Sequence, residues 1–394
     1  MRIARRMEAI SPSATIGMKV KADELRAQGR EVLSFALGEP DFPTPDNVIE
    51  AGKRALDEGE TKYTAATGTL ALRQAIATAT ERDLGVQYDP GQVVVSNGAK
   101  HSLCNLAMTM VQPGDEIIVF SPFWVTYPDQ LSLCGGRPVV VETTDKDDFQ
   151  PDLDRIRAAI TPWTTTIMIN SPSNPTGAVY QREIIEGIAE IALEHDLLIV
   201  SDEIYKQIRF DGNGHLSPAQ LCDEVKERTV IVDGVAKSYA MTGWRIGWIC
   251  APPEIASACG SLQGQSTSCP NAIAQAATIE ALNGPQDSVQ TMREQFERRR
   301  DFVVGRLAEI PEVSCATPRG AFYAFPNVSA YYGRKFGEHT INGSLDMAEY
   351  LLTEGLISLV PGEAFGADDY IRLSFAASME EIDEGLMRFA QALA

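Results

Sequence analysis

Residues 229–250 read Thr229-Val230-Ile231-Val232-Asp233-Gly234-Val235-Ala236-Lys237-Ser238-Tyr239-Ala240-Met241-Thr242-Gly243-Trp244-Arg245-Ile246-Gly247-Trp248-Ile249-Cys250. Two apolar runs, 230–232 and 246–250, have strand length and enclose a turn of small residues around one lysine. The same texture extends upstream. Runs at 93–95, 116–120, 138–141, 166–170 and 197–201 read as strands, and amphipathic stretches at 101–110, 153–159 and 183–194 as helices between them. Near-continuous apolar strands alternating with helices predict an α/β protein whose mostly parallel, seven-stranded sheet is covered by helices on both faces. From about Ser288 the pattern changes. A charged helix over 293–310 leads to strand-like runs at 320–325, 357–360 and 370–375, which predicts a smaller α+β unit. Residues 1–45 are expected to form an arm and part of that small unit. Residues 46–287 then form the large unit and 288–394 the rest of the small one.

The chain has 394 residues, enough for a large unit plus a smaller one. Its 44% hydrophobic and 22% charged content places it among ordinary soluble globular proteins. A formal net charge of −20 argues against nucleic acid or an anionic membrane as partner. No apolar stretch is long enough to span a bilayer, and Met1-Arg2-Ile3-Ala4-Arg5-Arg6 does not open a leader peptide. Seven scattered cysteines without a CxxC pair, and four isolated histidines, argue against a disulfide framework or a metal site. A reduced cytoplasm is the compartment expected.

Lys237 lies beyond a core strand among Gly234, Ala236, Ser238 and Ala240. A cation placed there must be paired or lose its proton, and a neutral amine is what attacks a carbonyl to form a Schiff base. The alternative is a solvated loop lysine. Ser96-Asn97-Gly98-Ala99-Lys100 follows an apolar run and opens a helix, so its backbone amides would face an anion; a tight strand–helix connection explains it as well. Asn170-Ser171-Pro172-Ser173-Asn174-Pro175-Thr176-Gly177 presents Asn174 at a strand's carboxyl end, where open α/β sheets bind ligands, or is simply a rigid turn. Asp202 ends the run Leu198-Ile199-Val200-Ser201 with Tyr205 three residues on; a helix N-cap is the alternative. Arg245 stands eight residues beyond Lys237. Arg372 shares one face of an alternating strand with Tyr370 and Ser374, as an exposed residue or a fork for a carboxylate. Together these residues offer an amine for an aldehyde, a carboxylate for a ring nitrogen, and a phenol and amide for a ring oxygen. An anion cradle and a carboxylate fork complete a set that pyridoxal phosphate with an amino acid would use in full.

With these motifs the sequence resembles the class-I pyridoxal-phosphate aminotransferases of fold type I, from Pro12-Ser13-Ala14-Thr15 to Arg372. Within them it is most similar to the bacterial aspartate branch related to prephenate aminotransferases. The resemblance implies that Lys237 carries the cofactor and shuttles the substrate proton, and that Asp202 pairs with the pyridine nitrogen. It further implies that Tyr205 and Asn174 bond the ring oxygen, that Trp124 stacks on the ring, and that Gly98, Ala99 and Arg245 hold the phosphate. Tyr63 would reach the phosphate of a neighbouring subunit, so the site would need a homodimer. Arg372, Asn174 and Gly38 would bind the α-carboxylate, with Trp124 flanking the substrate. Lys100, Ser13 and Thr15 would receive a distal carboxylate, which favours aspartate with 2-oxoglutarate. Two departures stand out. Ser11 replaces a basic residue frequent in prephenate-active members, and Gly234 replaces a hydroxyl residue that often holds the phosphate. Aromatic amino acids or prephenate as substrates, a β-lyase, and a non-enzymatic pyridoxal-sensing module remain the competing expectations.

Overall fold

The computed structural model describes residues 3–10 and 14–394. Ser11 and Ser13 lie outside the described residues, and so does the side chain of Thr15.

All seven apolar runs form strands of one sheet. They are β1 (Val93–Ser96), β2 (Glu116–Ser121), β3 (Arg137–Glu142), β4 (Thr164–Asn170), β5 (Leu198–Asp202), β6 (Thr229–Gly234) and β7 (Gly247–Cys250). Their spatial order is β1-β7-β6-β5-β4-β2-β3. β7 runs antiparallel to β1 and β6, and the remaining neighbours are parallel. Burial on both faces explains the unbroken apolar runs of six strands; the edge strand β3 is largely exposed or half-buried despite its valines. In β2, Ile117 and Val119 join one core cluster while Ile118 and Phe120 join the cluster on the opposite face. Each such side chain, fully removed from water, contributes roughly 1.5–3 kcal/mol.

Helices Ala99–Met110 and Arg182–Glu194 cover opposite faces, supplying Leu103 and Leu106 to one cluster and Ile185 and Ile188 to the other. Helix Leu70–Leu84 shows why the boundaries fall where they do. The Thr69 side chain accepts from Leu72 N at its start, and Gly85, in the left-handed region, ends it.

The charged helix spans Asp287–Ala308, starting six residues before the expected 293. Val289, Met292 and Phe296 are buried along one face, so the helical spacing was present ahead of the charged stretch that marked it. It packs into a separate core with Phe322, Leu351 and Phe389. The antiparallel strands Val360–Pro361, Ile371–Ser374 and Tyr323–Ala324 form a small sheet there. Leu33–Ser34 pairs in parallel with Ile357–Ser358, which ties the N-terminal segment to the C-terminal one. Among the described residues no helix is long and apolar enough to cross a membrane.

Candidate active site

β4, β5 and β6 are parallel, so their carboxyl ends open on one side of the sheet, and the chemistry-bearing residues gather there. Asp202 is the last residue of β5 and sits opposite Asn170, the last of β4. It caps no helix. Only 3% of it is exposed, and no lysine or arginine among the described residues forms an ion pair with it. Its Oδ2 accepts from the Tyr127 hydroxyl at 2.6 Å and its Oδ1 from Ile204 N at 3.3 Å. Burial pushes the Asp202 carboxyl up to about 6, against these two hydrogen bonds, which pull it down. A buried carboxylate held on two sides and left without a cation is poised for one brought by a ligand.

Lys237 follows β6 in the turn that the small residues allow. Its Nζ donates to the Gly38 carbonyl and lies 5.8 Å from the ring centres of Tyr205 and Phe322. Burial, then the positive charge of Arg372, lowers its ammonium to about 8. About a tenth of it is therefore a free amine at pH 7, the form a carbonyl requires. The position is not that of a solvated loop lysine.

Arg372 is 2% exposed, on the buried face of its strand. Its Nη1 donates to Asn174 Oδ1 at 2.9 Å and its Nη2 to Ala36 O at 2.5 Å, while its Nε has no partner among the described residues. No carboxylate among the described residues pairs with it, although Tyr323 and Phe365 lie 4.6 and 5.1 Å from its guanidinium. An unsatisfied buried guanidinium donor is a strong pull on an anionic ligand. Asn174 is placed by Asn170, whose Oδ1 accepts from Asn174 N at 2.8 Å and whose Nδ2 donates to Asp202 O at 3.0 Å. Tyr205 bonds Tyr323, hydroxyl to hydroxyl, at 2.8 Å.

The turn after β1 is where the sequence predicts an anion cradle. No side chain caps helix Ala99–Met110, and Gly98 at its start has φ 89°. Conformation favours glycine at 98, and a Cβ there would meet the movable guanidinium end of Arg245. Arg245 is anchored by Nη1 to Thr242 O at 2.8 Å and by Nη2 to Asn97 O at 3.3 Å. The departure at Gly234 also has a steric reason. A Cβ there would lie 2.9 Å from Ile246 O and 3.0 Å from Gly247 Cα, so the strand β7 leaves no room for a hydroxyl side chain.

Gly38, Ala99, Lys100, Trp124, Asn174, Asp202, Tyr205, Lys237, Arg245 and Arg372 all line one cleft of about 1160 Å³, part of it open to solvent. Lys100 Nζ lies 4.9 Å from the Trp124 ring centre, and burial followed by Arg245 lowers its ammonium from the ordinary value. Tyr63 stands apart. It is 90% exposed and does not line the cleft. Two contributors escaped the sequence. Tyr127 and Tyr323 lie 75 and 118 positions from the partners they bond, Asp202 and Tyr205. Only the placement of Tyr127 shortly after a strand end, beside Trp124, hinted at the first.

A family model described as aminotransferase class I and II matches residues 30–389. The chain belongs to that family. An aspartate aminotransferase of Bacillus subtilis is 43% identical over 98% of both chains. An aspartate/prephenate aminotransferase of Thermus thermophilus is 42% identical over 99% of this chain and 98% of its own. Among solved structures, the aspartate aminotransferase of Rhizobium meliloti superposes with a TM-score of 0.96 at 39% identity, covering 100% of this chain and 99% of the other. That of Thermus thermophilus with maleate gives 0.94 at 42% identity, with both chains fully covered. The protein is an aminotransferase with the fold expected of the type I group.

Proposed function

We propose that this aminotransferase transfers the amino group of aspartate to 2-oxoglutarate with pyridoxal phosphate as cofactor. The observation that carries the substrate choice is a pair of cations on one cleft, Arg372 without a carboxylate partner among the described residues and Lys100 over Trp124. A dicarboxylic acid engages both, whereas an apolar side chain would leave Lys100 facing hydrocarbon. Relatives named for aspartate, and one solved with the dicarboxylate maleate, support the same choice.

Three features fit the cofactor: the buried, cation-free Asp202, the uncapped helix start beside Arg245, and the depressed amine of Lys237. When bound, pyridoxal phosphate supplies an aldehyde for amines and a protonated ring that draws electrons from the substrate α-carbon. Asp202, ionised above about pH 6, would keep the proton on the ring nitrogen. Tyr205 and Asn174 would bond the ring oxygen, and Trp124 would flank the ring. Gly98 and Ala99 amides with Arg245 would hold the phosphate. Lys237 Nζ would take the α-proton and hand it back on the same face. Arg372, with Asn174 and the Gly38 backbone, would orient the α-carboxylate. Lys100, with Ser13 and Thr15, would receive the distal one. Tyr63, fully outside its own cleft, suits a role at a partner's phosphate in a homodimer. The boundaries 46–287 for the cofactor unit, and 1–45 with 288–394 for the unit that carries Arg372, are part of the same proposal. So is a cytoplasmic location, supported by the seven free cysteines.

A donor screen with 2-oxoglutarate as acceptor tests the substrate choice. Aspartate is expected to exceed phenylalanine and valine in kcat/KM by at least about tenfold. Equal or better turnover of an apolar donor sinks it.

A further inference from the structure

We propose that Tyr127 is the positioning residue of this site: its hydroxyl fixes the Asp202 carboxylate and aims its free lone pairs into the cleft. The proposal rests on Asp202 as the partner of the cofactor's ring nitrogen. Tyr127 lies on the short helix Thr126–Leu133 that follows Trp124, and its amide donates to Trp124 O at 3.0 Å. Its ring meets the Trp124 ring edge to face, with centres 5.4 Å apart. One residue thus ties the aromatic wall of the cleft to the end of β5.

The hydroxyl has little choice of partner. Tyr127 is 4% exposed and also borders a mostly apolar cavity lined by Leu106, Ile117, Leu131 and Met168 together with Gln130 and Thr166. A hydroxyl turned to that side would exchange a carboxylate for mostly hydrocarbon surroundings. Turned the other way it meets Asp202 Oδ2 at 2.6 Å, the length of a charge-assisted bond. Burial and the neighbouring carboxylate hold the phenol well above its ordinary value, so it remains a donor throughout the working pH range.

The other charged and titratable groups that bear on Asp202 come from every side. Glu203 follows it on the chain and Asp233 lies on the adjacent β6; both push its carboxyl up. Lys237 and Tyr205 face it from the cleft. None of these touches a carboxylate oxygen of Asp202; among the described residues only Tyr127 does so with a side chain. Without its hydroxyl, Oδ1 would keep the Ile204 amide and Oδ2 would keep no partner among the described residues.

Tyr127→Phe removes the donor and retains the ring. Asp202 in the apo-protein, followed by carbon-13 NMR of labelled aspartate and assigned with Asp202→Asn, is expected to titrate near pH 6 in the wild type. In Tyr127→Phe the midpoint should move up by about one pH unit, and the dissociation constant for pyridoxal phosphate should rise about tenfold. A midpoint unchanged within about 0.2 pH unit, with the variant folded, overturns the proposal and reduces Tyr127 to packing. If Tyr127→Phe does not fold, the wild type still decides. The Tyr127 ring-carbon resonance should shift through the Asp202 titration and lose that shift in Asp202→Asn; a resonance indifferent to pH across that range also overturns the proposal. Wild-type protein that fails to bind pyridoxal phosphate would refute the cofactor assignment instead, and the apo-protein titration would then decide the role of Tyr127 by itself.

Discussion

Lys237, Asp202 and Arg372 share one condition: each is an ionisable group held away from water with no ion-pair partner among the described residues. The Lys237 ammonium is lowered to about 8, so the neutral amine gains population as pH rises. Capture of pyridoxal phosphate by the apo-protein should therefore speed up roughly tenfold per pH unit below about 8 and level off above it, measured by stopped-flow absorbance. Asp202 shifts the other way. Its carboxyl in the fold titrates at about 6, above its ordinary value, so the folded state holds that proton more tightly than the unfolded chain. Its contribution to stability is complete at pH values below the unfolded carboxyl's range and is lost as pH rises through about 6. Asp202→Asn should raise the melting temperature of the apo-protein at pH 8 by roughly 2–4 °C and change it little at acid pH, while weakening cofactor binding. Calorimetry across pH checks this. Arg372→Lys keeps the charge and loses the fork, and should lower kcat/KM for the amino acid by roughly 10²-fold with KM raised.

At the scale of elements, the strand ends and one helix start build the site, and here sequence and structure can be compared directly. Gly98→Ala would place a methyl group against Arg245 in a backbone region that alanine disfavours. It is expected to weaken phosphate binding at least about tenfold, read as the dissociation constants of pyridoxal phosphate and pyridoxal compared. Six of the seven strands were legible because burial on both faces leaves no polar alternation to confuse them, as the opposed pairs Ile117/Val119 and Ile118/Phe120 show; the edge strand Arg137–Glu142 was legible from its valines alone, Val140 being exposed. Asp202, Asn174 and Lys237 each had a plain structural alternative when read singly, and only the set of motifs singled them out; the structure lines one cleft with all three. The start of helix Asp287–Ala308 was missed because its buried Val289 and Met292 were outweighed by the charge that follows. Tyr323 was not legible, and Tyr127 only through its place beside Trp124 after a strand end, since neither residue's neighbours announce its partner across the fold.

At the scale of the whole molecule, the cleft is shared between segments of two sheets. Lys237 and Asp202 come from the sheet of seven strands, whereas Arg372 comes from the small antiparallel sheet. The Leu33–Ser34 pairing with Ile357–Ser358 brings Gly38 into the same cleft from the N-terminal side. Tyr63, 90% exposed, belongs to the proposed assembly rather than to its own chain's cleft. Tyr63→Phe should weaken cofactor binding several-fold without changing the fold, as measured by cofactor titration and circular dichroism. The central claim is that Lys237 bears the cofactor. Borohydride reduction of the cofactor-loaded protein, followed by proteolysis and mass spectrometry, tests it most directly. The predicted result is a single phosphopyridoxyl group on the peptide containing Lys237. A label on another lysine, or none, would contradict it.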